Sequence, residues 1–513
     1  MSNIKKAVAL ILAAAMVFAL AACKGGGSTS GTTAADGSQS ETTLDTSKEV
    51  EIVMYFISDR PAGQDIVDEN MNKLFKEKLN CTLQVNWIPW SDYSSTYNLK
   101  LSSGEPIDLI YTAGWLGYSK LAQQGAFMAL DDLWPKYAPK NYAKATDQAK
   151  QQATVDGHIY TIPTLWATYI SQGPIYRTDI LKGSDLEGLE IKTFDDIEKY
   201  CDYCLEKYPE ILPVDIYQNG SAWDAMWARQ LGYQLIGNEA GNFYFKLDEE
   251  NPKVISIDEI PGIEDFLNMM KRWNEKGYFS KSCLSITDSQ QCQNGKAFIR
   301  CHNIDSYQGL MIDAYNKQNG WEWAYSDFNK YAAHLPFTQD SVSVSINSQN
   351  PERALALWDL ITSDQEAYDA FYYGIEGTTY KLEEDGSAVM LDPDLYSTSG
   401  MWTVRTTGLT RKTVGSPAGW DEWHEKWEEM IAKDDTQEKY SAIVIDTTGL
   451  DTEIANVTDV YNKYWTPLEL ALNTNGVEGG LEEFREQLKI AGADKIKEAY
   501  QKQLDAYVAN LKK

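Results

Sequence analysis

The stretch VEIVMYFI at residues 50 to 57 is apolar without alternation, the pattern of a strand covered on both faces. Ile66, Val67, Met71, Leu74, Phe75 and Leu79 then recur at helical spacing, and TLQVNWIPW at 82 to 90 forms a second strand. Strand, helix and strand with short links make a βαβ unit, so the sheet is expected to be at least partly parallel. A short helix ends at Leu101, Gly104 breaks it, and 107 to 111 is the third strand, followed directly by Trp115. Loops past the carboxyl ends of strands are where open α/β sheets bind ligands.

Farther along, VDGHIYTIPTLW (155 to 166) carries a turn at Asp156-Gly157 and a short strand before Pro163. Helices are predicted over 193 to 207, 222 to 231 and 260 to 275, and AFIRCHNI at 297 to 304 reads as a strand. The alternation in DSVSVSIN predicts a strand with one covered face. Asn350-Pro351 supplies an N-cap and a first-position proline for a helix through Ile361. Ser363-Asp364-Gln365-Glu366 reads as a capping box for the next helix, and Gly374 stops it. Two helices close the chain, 481 to 490 and 494 to 511, the last with Ile496, Tyr500, Gln503, Leu504, Tyr507 and Leu511 on one docking stripe.

A length of 513 residues exceeds one compact core and implies two large lobes or three ordinary domains. Lys5 and Lys6 precede an apolar run from Ala7 to Ala22, shorter than the roughly 20 residues of a membrane-spanning helix, so 1–22 reads as an export signal. Residues 24 to 48, rich in Gly, Ser and Thr, hold little that could pack, and 23–48 is a flexible tether. The net charge of −29 becomes −31 once Lys5 and Lys6 leave with the signal. Such a surface repels phosphate backbones and excludes nucleic acid as partner.

Enzyme motifs are missing. Four histidines are scattered, and neither a G-x-S-x-G elbow nor a P-loop occurs. In WDEWHEKWEEM the second histidine of H-E-x-x-H is replaced by Glu428, leaving an amphipathic surface helix. EEDGSAVMLDPD lacks the alternating oxygen donors of a calcium loop. A secreted carbohydrate-active enzyme would need two carboxylates about 5–10 Å apart, and 75 acidic residues single out no pair. No catalytic residue, metal ligand or cofactor is therefore expected. Cys201 and Cys204 lie on one predicted helix without a nearby histidine and read as half-buried thiols; Cys283, Cys292 and Cys301 leave room for one disulfide.

Leu20-Ala21-Ala22-Cys23 resembles a bacterial lipobox, which implies acylation of Cys23 and a body held at the extracytoplasmic face of the cell membrane. SGEPIDLIYTAGW (103 to 115), QGAFMALDDL (124 to 133), DGHIYTIPT (156 to 164), NGKAFIRC (294 to 301) and NPERALALWDLITSDQEAYDAFYYG (350 to 374) follow in order. Together they resemble the extracellular solute-binding lipoproteins of ABC importers, of the maltose-binding type. GIEGTTYKL and EIANVTDVYNKYWTPLELAL are similar to a branch with its own C-terminal region. The resemblance implies a two-lobed α/β fold of the periplasmic-binding-protein kind (type II, Venus-flytrap), with hinge crossovers and a helical C-terminal part. It places lobe 1 at 49–165 with a return at 332–374, lobe 2 at 166–331, and the lobe 2 return with the helical region at 375–513. It further implies a non-catalytic monomer that delivers an oligosaccharide to ABC permease subunits; a peptide or other solute is the alternative ligand.

A neutral, hydroxyl-rich ligand needs flat rings against its C–H faces and paired hydrogen bonds to vicinal hydroxyls. The chain has 16 Trp and 31 Tyr against 14 Phe. By position past strands or in loops, the candidate ligand residues are Asp59, Arg60, Trp115, Trp166, Trp223, Asp305, Tyr307 and Trp402, with Trp90 and Trp227 behind them.

Overall fold

The βαβ unit forms as its pattern predicts: Val50–Ile57 and Cys81–Ile88 run parallel in full register, joined by the Gln64–Leu79 helix. The computed structural model describes residues 44–512 other than 90–91, 219, 238–242, 289, 313, 394, 399–400 and 415–416. Leu109–Thr112 adds to the other edge of the first strand, also parallel. Ser341–Val344 returns antiparallel beside it and pairs in turn with Ile162–Pro163, completing a five-stranded mixed sheet. All four residues of Ser341–Val344 are buried, so the serine face is covered as well as the valine face, unlike the half-covered strand its alternation predicts. The neighbouring strand satisfies part of that face, since Ser341 Oγ donates to the Thr112 carbonyl at 2.8 Å, while the buried Ser343 hydroxyl has no partner among the described residues.

Helices Pro351–Ile361 and Gln365–Tyr372 cover this sheet. The cap of the second is Asp364, which accepts from the Ala367 amide at 3.0 Å, so the cap lies one residue beyond the predicted Ser363. Gly374, at φ 91°, follows this helix in the left-handed region that favours glycine.

A second core gathers Tyr176, Tyr200, Trp223, Phe245, Phe266, Trp273 and Phe298 with Phe484, Ile496, Tyr500 and Leu504 of the two C-terminal helices. On the last helix, Ala493–Leu511, the stripe is Ile496, Tyr500, Leu504 and Val508; Leu511 is exposed. A smaller cluster joins Tyr169, Tyr307, Trp323, Tyr325 and Trp427 on the Gly173–Arg177 sheet, where Ile299–His302 and Trp323–Tyr325 flank the central strand antiparallel.

One segment departs from the expected partition. Tyr380, Ala388, Tyr396, Met401 and Val404 are buried in the first core, although 375–513 is assigned to the second lobe by sequence. A hairpin of Tyr380–Leu382 and Ala388–Met390 seats them there, and the Gln365 side chain ties to the Leu409 carbonyl at 3.0 Å. All six cysteines from Cys81 to Cys301 are buried free thiols, so Cys283, Cys292 and Cys301 contain no bridge. Among the described residues no helix is long and apolar enough to cross a membrane.

Candidate functional site

Backbone bonds lace the segments that cross between the two cores. Thr164 donates to the Phe337 carbonyl at 2.9 Å, Leu335 to Thr168 at 2.8 Å and Ile170 to Ala333 at 2.9 Å. A third passage joins them, as Thr407 donates to the Leu165 carbonyl at 3.1 Å. Beside these crossings, side chains from both cores meet.

From the first core, the turn after Leu109–Thr112 carries Trp115, half-buried and packed against Tyr93 at 5.9 Å and Tyr111 at 6.1 Å. The Tyr111 hydroxyl donates to Asp340 at 2.6 Å. Burial pushes the Tyr111 phenol well up, and the adjacent Asp340 charge adds to it. Asp340 immediately precedes the returning strand and is raised by its own burial.

Arg405 follows the Trp402–Val404 turn, whose Val404 is buried in the same first core. Its guanidinium spans to Asp305 on the other side, Nη1 to Oδ1 at 3.4 Å and Nη2 to Oδ2 at 3.5 Å. Asp305 sits in the first turn of Ile304–Ile312, and Trp420 donates its indole N–H to the same carboxylate at 3.4 Å. Burial works to raise Asp305, but the Arg405 charge and hydrogen bonds outweigh it and hold the carboxyl below its usual range.

Three tryptophans of the Ala418–Lys433 helix, Trp420, Trp423 and Trp427, line the second side. Trp427 is fully buried, stacks on Tyr169 at 5.2 Å and donates to Asp327 at 2.7 Å. This helix is therefore not the surface element that WDEWHEKWEEM suggests. Its Trp spacing of three and four residues is the apolar stripe that marks a docked face.

The other sequence candidates part company. Asp59 and Arg60 are exposed after the first strand, and Arg60 pairs with Asp65 at 2.5 Å. Trp166 is half-buried on the first crossing, with an indole N–H that has no partner among the described residues. Trp402 is half-buried three residues before Arg405. Tyr307 is buried, its ring stacked on Tyr325 at 6.1 Å. Trp223 is 1% exposed and meets Trp273 edge-on at 5.2 Å, which corrects its assignment as a ligand contact: it is core, as is Trp227 on Phe266. Trp90 and Cys23 lie outside the described residues.

Sequence reasoning passed over Tyr111, Asp340, Arg405 and Trp420. Tyr111 and Asp340 read as strand and loop positions, and Arg405 stands in a loop-rich stretch without periodicity; only proximity to Trp402 could have pointed to it. The arrangement presents carboxylates, a guanidinium and aromatic edges where the two cores approach, a set suited to hydroxyl groups. Among the described residues no group of three or more His, Cys, Asp or Glu could hold a metal ion.

Residues 70–379 match the family described as bacterial extracellular solute-binding protein, and 440–509 match a domain of unknown function, DUF3502. A carbohydrate ABC transporter substrate-binding protein of Streptococcus pneumoniae is 26% identical over 90% of this chain and 91% of its own. Lipoprotein LipO of Bacillus subtilis is 27% identical over 40% of each chain. Among solved structures, the N-glycan transport solute binding protein of Streptococcus pneumoniae in complex with Man1GlcNAc superposes with a TM-score of 0.74 at 20% identity, covering 90% of this chain and 100% of that one. The S. pneumoniae substrate binding protein FusA in complex with kestose gives 0.62 at 16% identity, over 90% and 100% of the two chains.

Proposed function

The chain belongs to the bacterial extracellular solute-binding proteins, and we propose that it is the ligand-capturing component of an ABC importer, holding an oligosaccharide between its two lobes. The observation that carries this reading is a polar and aromatic group on each side, Trp115, Tyr111 and Asp340 on the first core and Asp305 and Trp420 on the other. Arg405 of the first core reaches across to Asp305, and its charge is felt at Asp340. Ligand contacts made from both sides favour the closed arrangement, and that differential binding is what a transporter can sense.

An oligosaccharide fits because paired acceptors and donors serve vicinal hydroxyls while Trp115 offers a ring face of partial exposure. The chain's similarity to proteins whose names or complexes involve carbohydrate, including a mannose–N-acetylglucosamine glycan, supports the same class. Asp59, Arg60, Trp166 and Trp402 are proposed as outer contacts, engaged by longer chains. Acylation at Cys23 would hold the body at the extracytoplasmic face, where permease subunits complete the importer, with a tether shorter than 24–48 because the Asp45 and Thr46 carbonyls accept from Arg353 and Asn80 of the body.

A thermal-shift screen of the purified protein against glycans and peptides, with analysis of each glycan after incubation, tests the proposal. Stabilisation by an intact oligosaccharide is expected. Stabilisation by peptides alone, or cleavage of the glycan, overturns it.

A further inference from the structure

Arg405 and Asp305 belong to different cores and pair opposite charges with little exposure, whereas the Lys120–Asp451 pair that also joins the two cores, at 2.6 Å, is solvent-exposed. Val404 beside Arg405 is buried with the first sheet, and Thr406 bridges to Leu165. Asp305 opens a helix whose Ile304, Tyr307 and Leu310 pack with Tyr325 and Trp427 in the third cluster. We infer that the Arg405–Asp305 pair is an exchangeable latch that positions the two lobes of the ligand-free protein.

Three observations carry this. The pair has the two-pronged geometry in which guanidinium and carboxylate fit best, yet at 3.4 and 3.5 Å it is stretched by about half an ångström beyond a closed charge-assisted bond. Alignment without full approach is the geometry of two bodies that can still move together.

Each partner also keeps company when the pair parts. Arg405 stays within the field of Asp340 on its own side, although no ion pair joins the two, while Asp305 keeps the Trp420 indole and the N-terminal turn of its helix, which favours a negative charge. Separation therefore leaves each charge near a favourable field, which softens the cost that the loss of one member of a buried pair otherwise carries. Finally, Arg405 is 8% exposed and its Nε–H has no partner among the described residues, so the guanidinium is incompletely satisfied where it stands. A side chain so placed has something to gain from rearrangement.

The latch rests on the two-lobed fold and not on what the protein binds, so it is tested without ligand. Small-angle scattering of the ligand-free protein is expected to give a larger radius of gyration for Asp305→Asn than for wild type, and a value near wild type for Asp305→Glu, which keeps the charge. Arg405→Gln, which removes the other charge, should expand the protein in the same way. Equal radii for wild type and Asp305→Asn overturn the inference. If Asp305→Asn does not fold, a wild-type radius for Arg405→Gln overturns it instead.

Discussion

Nε2 of His334 lies 3.1 Å from a carboxylate oxygen of Glu428, fixing a crossing segment to the tryptophan-bearing helix. The other ring nitrogen is 3.2 Å from Glu438, whose second oxygen accepts the His334 amide at 2.8 Å. Tyr169, on the first crossing, donates to Glu428 and packs its ring 4.9 Å from His334 and 5.0 Å from His424. One imidazole thus ties the two neighbouring crossings to the Ala418–Lys433 helix and to Glu438 beyond it.

Only a protonated ring can donate to both carboxylates at once. Burial works against the charge, but Glu438 and then Glu428 outweigh it and raise the His334 pKa above its ordinary value. The stabilisation is then fully present below about pH 6.5, the unfolded value, and is lost as pH rises through the raised folded value. The melting temperature of wild type should fall more between pH 6 and pH 8 than that of His334→Gln. Parallel pH profiles would show that the imidazole does not carry the effect.

Trp115→Ala should weaken oligosaccharide affinity at least roughly tenfold, about 1.4 kcal/mol, by calorimetry. The half-buried ring packs on Tyr93 and Tyr111, so a modest drop in melting temperature accompanies it. Unchanged affinity would make Trp115 a packing residue only.

Trp223→Ala should behave oppositely. Removal of a fully enclosed indole from the Trp273 contact costs about 3–5 kcal/mol of folding stability. Chemical denaturation measures it, and a loss below about 1 kcal/mol would contradict the core assignment.

The six described cysteines should be silent to a thiol reagent in the native protein and all react after denaturation without reductant. Burial keeps these thiols protonated, Cys81 at about 11 and the others shifted upward too. Fewer than six reactive thiols from these positions would reveal a disulfide.

Long periodic elements were legible in the sequence because one physical signal decides each of them. The apolar run at Val50–Ile57, the helical spacing through Leu79 and the proline-led helix at Pro351 all form as read. Readings failed where distant chain decides the environment. Ser341–Val344 alternates, yet both faces are covered; Trp223 begins a helix after a loop, yet faces Trp273 from another helix. The boundary site was legible in part. Trp115 and Asp305 follow strands and could be singled out, whereas Arg405 and Asp340 gain their meaning from residues 100 and 229 positions away.

Capture of an oligosaccharide is tested most directly by calorimetric titration with a defined mannose–N-acetylglucosamine oligosaccharide and, separately, with a cationic peptide of similar mass. Saturable one-to-one binding of an intact oligosaccharide, with the peptide silent, is expected, and a plant-type glycan in place of the first would still agree. Binding of the peptide with no response to any oligosaccharide would contradict it.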